Sequence, residues 1–287
     1  MRVLVTGAGG QLGTELVRTL EQRASRRSRG VLEVAAAGRE RLDVAARDEV
    51  LAAICAIEPD LVLHPAAWTD VDGCEADPDR AFRVNALGVR HVAEAARIVG
   101  AHVVYLSTDY VFDGTSPRPY VEWDPPNPLS VYGRSKLAGE QEVDPAWTVV
   151  RTSWVVGRAG RNMARTVLEV ADRQPVLRFV DDQRGCPTVA GDLAEKVVEL
   201  GLARRPGTFH VTNQGETTWF GFACEVLRAA GLDANRVEPI ATAELDPPRP
   251  ALRPANSVLD NAALRLAGEG LLPPWQESLG RLVAELR

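Results

Sequence analysis

The opening of the chain limits the possible folds more than any other stretch. Arg2–Thr6 is an apolar run of strand length that passes directly into Gly7-Ala8-Gly9-Gly10-Gln11-Leu12-Gly13, after which a helical pattern continues to about Leu20. Glycine at 7, 10 and 13 puts a residue without a Cβ at each step of a tight strand-to-helix turn. Such a turn lets the backbone come close to a pyrophosphate, whose charge the helix N-terminus favours. Glycine turns also join strands to helices where nothing binds. Here the spacing carries weight because a strand precedes it and a helix follows. The expectation is a dinucleotide site turning on Gly7, Gly10 and Gly13.

Beyond that turn, strand-like and helix-like segments alternate. Strands are expected at 31–37, 61–65, 103–107, 148–152 and 208–211. Helices are expected at 48–57, 79–100, 132–143 and 192–202, the strand at 61–65 being closed by Pro65 and the 79–100 helix by Gly100. This order predicts an α/β fold: a doubly wound, mostly parallel sheet of Rossmann type with a smaller C-terminal substrate-binding lobe. Regularity fades after Trp154, and prolines gather at Pro247-Pro248-Arg249-Pro250 and Pro273-Pro274. The division expected is a dinucleotide-binding domain over 1–154 and a mainly substrate-binding lobe over 155–287, with segments near 190–212 returning to the main sheet.

Composition narrows the partners. A formal net charge of −6 argues against nucleic acid, which favours a basic surface. No apolar run reaches membrane-span length, and Met1 leads straight into a strand, so a cytoplasmic protein is expected. Cys55, Cys74, Cys186 and Cys224 are widely spaced and read as reduced thiols, with Cys186 a packed one. The run Arg23, Arg26, Arg27, Arg29 reads as a solvated loop, and Asp181-Asp182 as a solvated turn. His64, His91, His102 and His210 lack ligand spacing, so no built-in catalytic metal is expected.

The end of the second strand reads Ala37-Gly38-Arg39, with no acid ahead of the arginine. An acid there would bond the ribose of NADH, whereas arginine pairs with the 2′-phosphate of NADPH. Arg39 therefore favours NADPH, with NADH still possible. Asp43 is open between contact with the adenine edge and a turn or N-cap role.

Tyr132-Gly133-Arg134-Ser135-Lys136 is the most informative stretch. Residues four apart on a helix share a face. A phenol with pKa near 10 is a poor acid at neutral pH, and a neighbouring ammonium, with a positively charged oxidised nicotinamide close by, is expected to lower that value. A surface pair at this spacing is commonplace. Upstream, however, Leu106-Ser107-Thr108-Asp109-Tyr110 closes a strand where ligands sit in doubly wound sheets, and Ser107 or Thr108 can bond the same carbonyl. Together these predict reduction of a carbonyl, with Tyr132 as proton donor.

That order of motifs resembles the extended short-chain dehydrogenase/reductases. The finer text resembles the dTDP-4-dehydrorhamnose reductase family: Ser107–Gly114, Tyr132–Glu140, Arg151-Thr152-Ser153-Trp154, Ala66–Asp72, Asp182–Thr188 and Arg253–Ser257. The resemblance implies reduction of the C4 ketone of a dTDP-linked 4-keto-6-deoxy sugar to dTDP-L-rhamnose. It implies Tyr132 as proton donor with Lys136 as its partner on the cofactor, and Thr108 and Asp109 against the sugar, on which Trp154 packs. Gly10, Gln11 and Leu12 would line the pyrophosphate, Asp43 and Val44 the adenine, and Ala67, Trp68 and Thr69 the ribose and nicotinamide side. Mg2+ and a homodimer are possible on the resemblance alone. This sequence departs from the pattern at His64, where asparagine is common and which reads as a buried, hydrogen-bonded residue, at Trp68, and at Arg184. Two rivals stand beside this reading: a reductase for another dTDP-keto-sugar, and a cofactor-binding regulatory subunit without catalysis. A dehydratase is disfavoured because no second acid follows Asp109.

Overall fold

The computed structural model describes residues 1–26 and 31–287. Arg27 and Arg29 of the basic run lie outside the described residues. In chain order the main elements begin β1 (Arg2–Thr6), α1 (Gln11–Arg26), β2 (Glu33–Ala37), α2 (Arg47–Ile57), β3 (Leu61–His64), α3 (Val71–Ala76), α4 (Pro78–Phe82), α5 (Gly88–Val99) and β4 (His102–Thr108). They continue with α6 (Val131–Glu140), β5 (Thr148–Thr152), β6 (Val155–Val156), α7 (Met163–Arg173), β7 (Leu177–Val180), β8 (Arg184–Gly185), β9 (Thr188–Val189) and α8 (Ala190–Leu202). The last are β10 (Gly207–His210), β11 (Thr217–Thr218), α9 (Trp219–Ala229), β12 (Val237–Ile240), α10 (Ala262–Leu266) and α11 (Trp275–Leu286).

Six strands form one parallel sheet in the order β10-β5-β4-β3-β1-β2. The strands read as continuous apolar runs because both faces are covered. Val3 and Val5 point to the side packed by Leu16 of α1 and Val197 of α8. Leu4 points to the opposite side, against Ile54 of α2 and Val92 of α5. The chain leaves β1 for β2 on one side and returns to β3 on the other. This reversal of strand order opens a crevice at the strands' carboxyl ends.

A second core forms around Phe222, Leu227, Trp275 and Leu279, where α7, α9 and α11 meet. Short pairs join it to the rest: β6 with β9, β8 with β11, and β7 with β12. Asp181 and Asp182, read as a solvated turn, tie this part together. Asp181 accepts from the Thr218 hydroxyl at 2.6 Å, and Asp182 accepts from the backbone N–H and hydroxyl of Thr242.

The helix expected over 79–100 is interrupted. Between α4 and α5, Arg83–Leu87 form a π-turn. Within it the fully buried Asn85 faces the loop after β3, accepting from the Trp68 N–H at 2.7 Å and donating to the Trp68 carbonyl at 3.0 Å. Such turns recur at functional sites because the extra residue re-aims a side chain.

Candidate active site

The carboxyl edge of the sheet holds a cavity of about 530 Å³. Every residue expected to bind a cofactor lines it. Gly7, Gly10, Gln11, Leu12 and Gly13 form one stretch, Arg39, Asp43 and Val44 stand at the β2 end, Ala67, Trp68 and Thr69 follow β3, and Tyr132 with Lys136 close the far side.

The glycine turn is built by sterics. Gly7 has φ +57°, a left-handed conformation costly for other residues, and a Cβ there would lie 2.8 Å from Ala66 Cα. A Cβ on Gly13 would stand 2.1 Å from the Gly7 carbonyl oxygen, so only glycine lets α1 begin this close to β1. Gln11 donates to the Arg161 carbonyl at 3.0 Å, and its Oε1 is buried without a protein partner. A helix N-terminus, a turn no side chain can fill and an unpartnered oxygen together fit a dinucleotide. Asp43 lines the cavity and accepts from the Ala45 N–H at 3.0 Å, the contact of its turn reading. The Arg80 guanidinium lies 4.2 Å above the Trp68 ring, a contact with no signal in the sequence.

Helix α6 presents the reacting pair. Ser130 caps it, accepting from the Gly133 N–H at 3.1 Å. Tyr132 and Lys136 are both buried on the face turned to β4. The Lys136 ammonium donates to the Leu106 carbonyl at 2.6 Å and sits 4.2 Å from the centre of the Tyr105 ring. Burial pushes its pKa down to about 7, with Glu140 opposing. Glu140 is held in a buried bidentate pair with Arg151, at 2.9 and 2.7 Å, and accepts from Ser107.

The protein's own groups do not lower the Tyr132 pKa, and the expected lowering turns on the nicotinamide cation as well. Burial pushes the phenol above its ordinary value, the nearby Thr108 hydroxyl opposes the rise, and Asp109 adds to it. The ammonium is committed to β4 and does not offset the lost hydration.

Thr108, Asp109 and Trp154 are not part of the cavity wall. The Thr108 hydroxyl donates to Asp109 at 3.0 Å, and burial raises the Asp109 pKa to about 6. Trp154 lies flat on Trp219, with ring centres 3.5 Å apart and planes 5° from parallel. It is also wedged against Gly185, where a Cβ would fall 2.4 Å from Trp154 Cε2. His64 is fully buried and hydrogen-bonded to Thr6 at 2.7 Å, and burial lowers its pKa to about 3. Arg184 pairs with Glu216. Cys186 is packed, its thiol pushed up to about 11 by burial.

Among the described residues no three carboxylates, thiols or imidazoles converge. The acids that share one smaller cavity are already paired, Glu15 with Arg18 and Arg158, and Asp192 with Arg281. Likewise no helix among the described residues is long and apolar enough to cross a membrane.

A parallel sheet whose carboxyl edge carries a glycine turn beside a Tyr-x-x-x-Lys helix defines a Rossmann-type protein of the extended short-chain dehydrogenase/reductase kind. The chain belongs to the RmlD substrate binding domain family, whose model it matches over residues 1–287. It is 41% identical over 288 residues to dTDP-4-dehydrorhamnose reductase of Streptomyces griseus, covering 97% of this chain and 91% of that protein. It is 43% identical over 286 residues to a probable dTDP-4,6-dihydroxy-2-methyloxan-3-one 4-ketoreductase of Streptomyces antibioticus, covering 97% and 93%. In structure it resembles dTDP-4-dehydrorhamnose reductase of Bacillus anthracis in complex with NADP, with a TM-score of 0.92, 36% identity and 99% of each chain covered.

Proposed function

We propose that this protein reduces the C4 ketone of dTDP-4-dehydro-L-rhamnose with NADPH, giving dTDP-L-rhamnose. The carrying observation is that Tyr132 and Lys136 open onto the same cavity as the glycine turn. Relatives named for this reaction, and a structural neighbour in complex with NADP, support the substrate and the cofactor.

Bound along the cavity, the reduced nicotinamide supplies hydride. The protein supplies position and a proton. Backbone N–H groups at the start of α1 hold the pyrophosphate, Arg39 the 2′-phosphate, Asp43 and Val44 the adenine, and Ala67–Thr69 the ribose and nicotinamide side. Tyr132 gives its proton to the ketone oxygen. Its raised pKa keeps it in the donor form at neutral pH, and once the proton has left, the Thr108 hydroxyl turns from Asp109 to the phenolate. Lys136 spends one N–H on Leu106, and its others serve the ribose hydroxyls. Asp109 fixes the Thr108 hydroxyl, and Trp154 acts from its wedge by setting where the lobe stands against the sugar. Binding energy from the dTDP handle positions the reacting carbon.

The relative from Streptomyces antibioticus favours one second reading, the same chemistry on another dTDP-keto-sugar. Incubating the protein with NADPH and a panel of dTDP-4-keto-6-deoxy sugars, and determining product stereochemistry by NMR, tests both. dTDP-L-rhamnose is the expected product. A different preferred sugar would move the assignment to the second reading. NADPH left unoxidised with every sugar would overturn both.

A further inference from the structure

Among the described residues three cations line the cofactor cavity: Arg39, Arg80 and Lys136. NADPH brings anions at two places, its 2′-phosphate and its pyrophosphate. Arg39, after β2, serves the first, and Lys136 is fastened to the Leu106 carbonyl at 2.6 Å. The acids that line the cavity, Glu40 and Asp43, also stand at the β2 end. Arg80 is the cation left over. It comes from α4, four residues before Val84, which lines the same cavity. Its backbone N–H donates to Asp77 at 3.0 Å, but among the described residues its half-buried guanidinium has no hydrogen-bond acceptor and no ion-pair partner.

What holds that guanidinium is the Trp68 ring, 4.2 Å from it. The contact uses the charge and not the donors, so the N–H fork stays available, and its shape fits two phosphate oxygens. The ring is itself fixed. Asn85 bonds the Trp68 backbone N–H and carbonyl, at 2.7 and 3.0 Å, and a Cβ on Gly73 would already lie 3.0 Å from Trp68 Cζ2. A cation set in place, with its donors uncommitted, in the wall of a dinucleotide cavity suits an anion that arrives with the ligand. We propose that Arg80 is a cofactor-binding residue whose guanidinium bonds the pyrophosphate of the dinucleotide. The glycine turn then meets the pyrophosphate from the β1 side with neutral N–H groups, and Arg80 meets it from the β3 side with a charge. This assignment rests on the dinucleotide reading given under the proposed function.

The test is calorimetric titration of the whole protein with NADPH, with 2′-AMP and dTDP titrated in parallel. 2′-AMP carries the 2′-phosphate without a pyrophosphate, and dTDP carries the diphosphate of the proposed substrate. Arg80→Met keeps an unbranched stem over Trp68 and removes the charge. It is expected to weaken NADPH roughly ten- to hundredfold while 2′-AMP and dTDP bind as before. Arg80→Lys restores the charge without the fork and is expected to recover part of the loss. Unchanged NADPH affinity in Arg80→Met overturns the assignment. Equal weakening of 2′-AMP also overturns it, by placing Arg80 at the 2′-phosphate, and a loss confined to dTDP does so by giving the residue to the sugar nucleotide. If the original protein takes up no NADPH, the cofactor reading itself falls first and this assignment goes with it.

Discussion

The Lys136 ammonium is fastened to the Leu106 carbonyl at 2.6 Å, so the cation of α6 is tied to β4 and not to the phenol one helical turn earlier. Burial lowers its pKa from 10.5 to about 7. Between those values the unfolded chain still holds a proton that the fold has shed, so this residue makes stability rise with pH across that window. Lys136→Met lacks the group. Urea unfolding at pH 7 and pH 9.5 is expected to show the original protein gaining on the variant at the higher pH. An identical gap at both values would mean that the lysine is not held in a desolvated site.

In the proposed reaction Tyr132 gives the ketone its proton. Tyr132→Phe removes the hydroxyl and keeps the edge-on ring contact with Tyr110, whose centres are 5.6 Å apart. Turnover is expected to drop about 10²–10⁴-fold, the usual worth of a positioned acid, with NADPH affinity within about twofold. NADPH oxidation with the keto-sugar and a separate binding titration give the two readouts. Full turnover in this variant would remove the mechanism.

Arg39 lines the β2 end of the cavity. If it pairs with the 2′-phosphate, Arg39→Asp exchanges a charge-assisted bond for repulsion and provides the acid that suits an unphosphorylated ribose. KM for NADPH is expected to rise about tenfold or more while KM for NADH falls. Equal KM changes for both cofactors would place Arg39 outside the ribose site.

How much of this was legible depended on how local each cause was. The strand Thr148–Thr152, the glycine turn and the Tyr132–Lys136 face follow from neighbours in sequence, and the structure places them as read. The lobe was less readable because β6, β8, β9 and β11 are two residues long, too short for any period to show. Asn85 gave no signal, since its role is to hold Trp68 across a loop and its cost is a break in helical spacing. The influence of burial on the Tyr132 phenol is likewise tertiary. Spacing shows that an ammonium is near, while burial decides which influence wins.

Trp154 follows β5 with φ +46°, a strained conformation for a bulky residue, so its surroundings must hold it there. Trp219, at the start of α9, stacks on the ring, and Gly185 of β8 packs against it. A methyl group at position 185 would fall 2.4 Å from Cε2, and the ring cannot retreat without pushing Trp219 and the lobe with it. Gly185→Ala is therefore expected to cost about 1–3 kcal/mol in urea unfolding. KM for the dTDP-sugar should rise several-fold with NADPH affinity unchanged, because neither Trp154 nor Gly185 lines the cofactor cavity. Gly185→Ala combined with Trp219→Ala opens room for the displaced ring and is expected to recover part of the lost stability. A Gly185→Ala protein with unaltered stability and sugar KM would show that the wedge does not set the lobe's position.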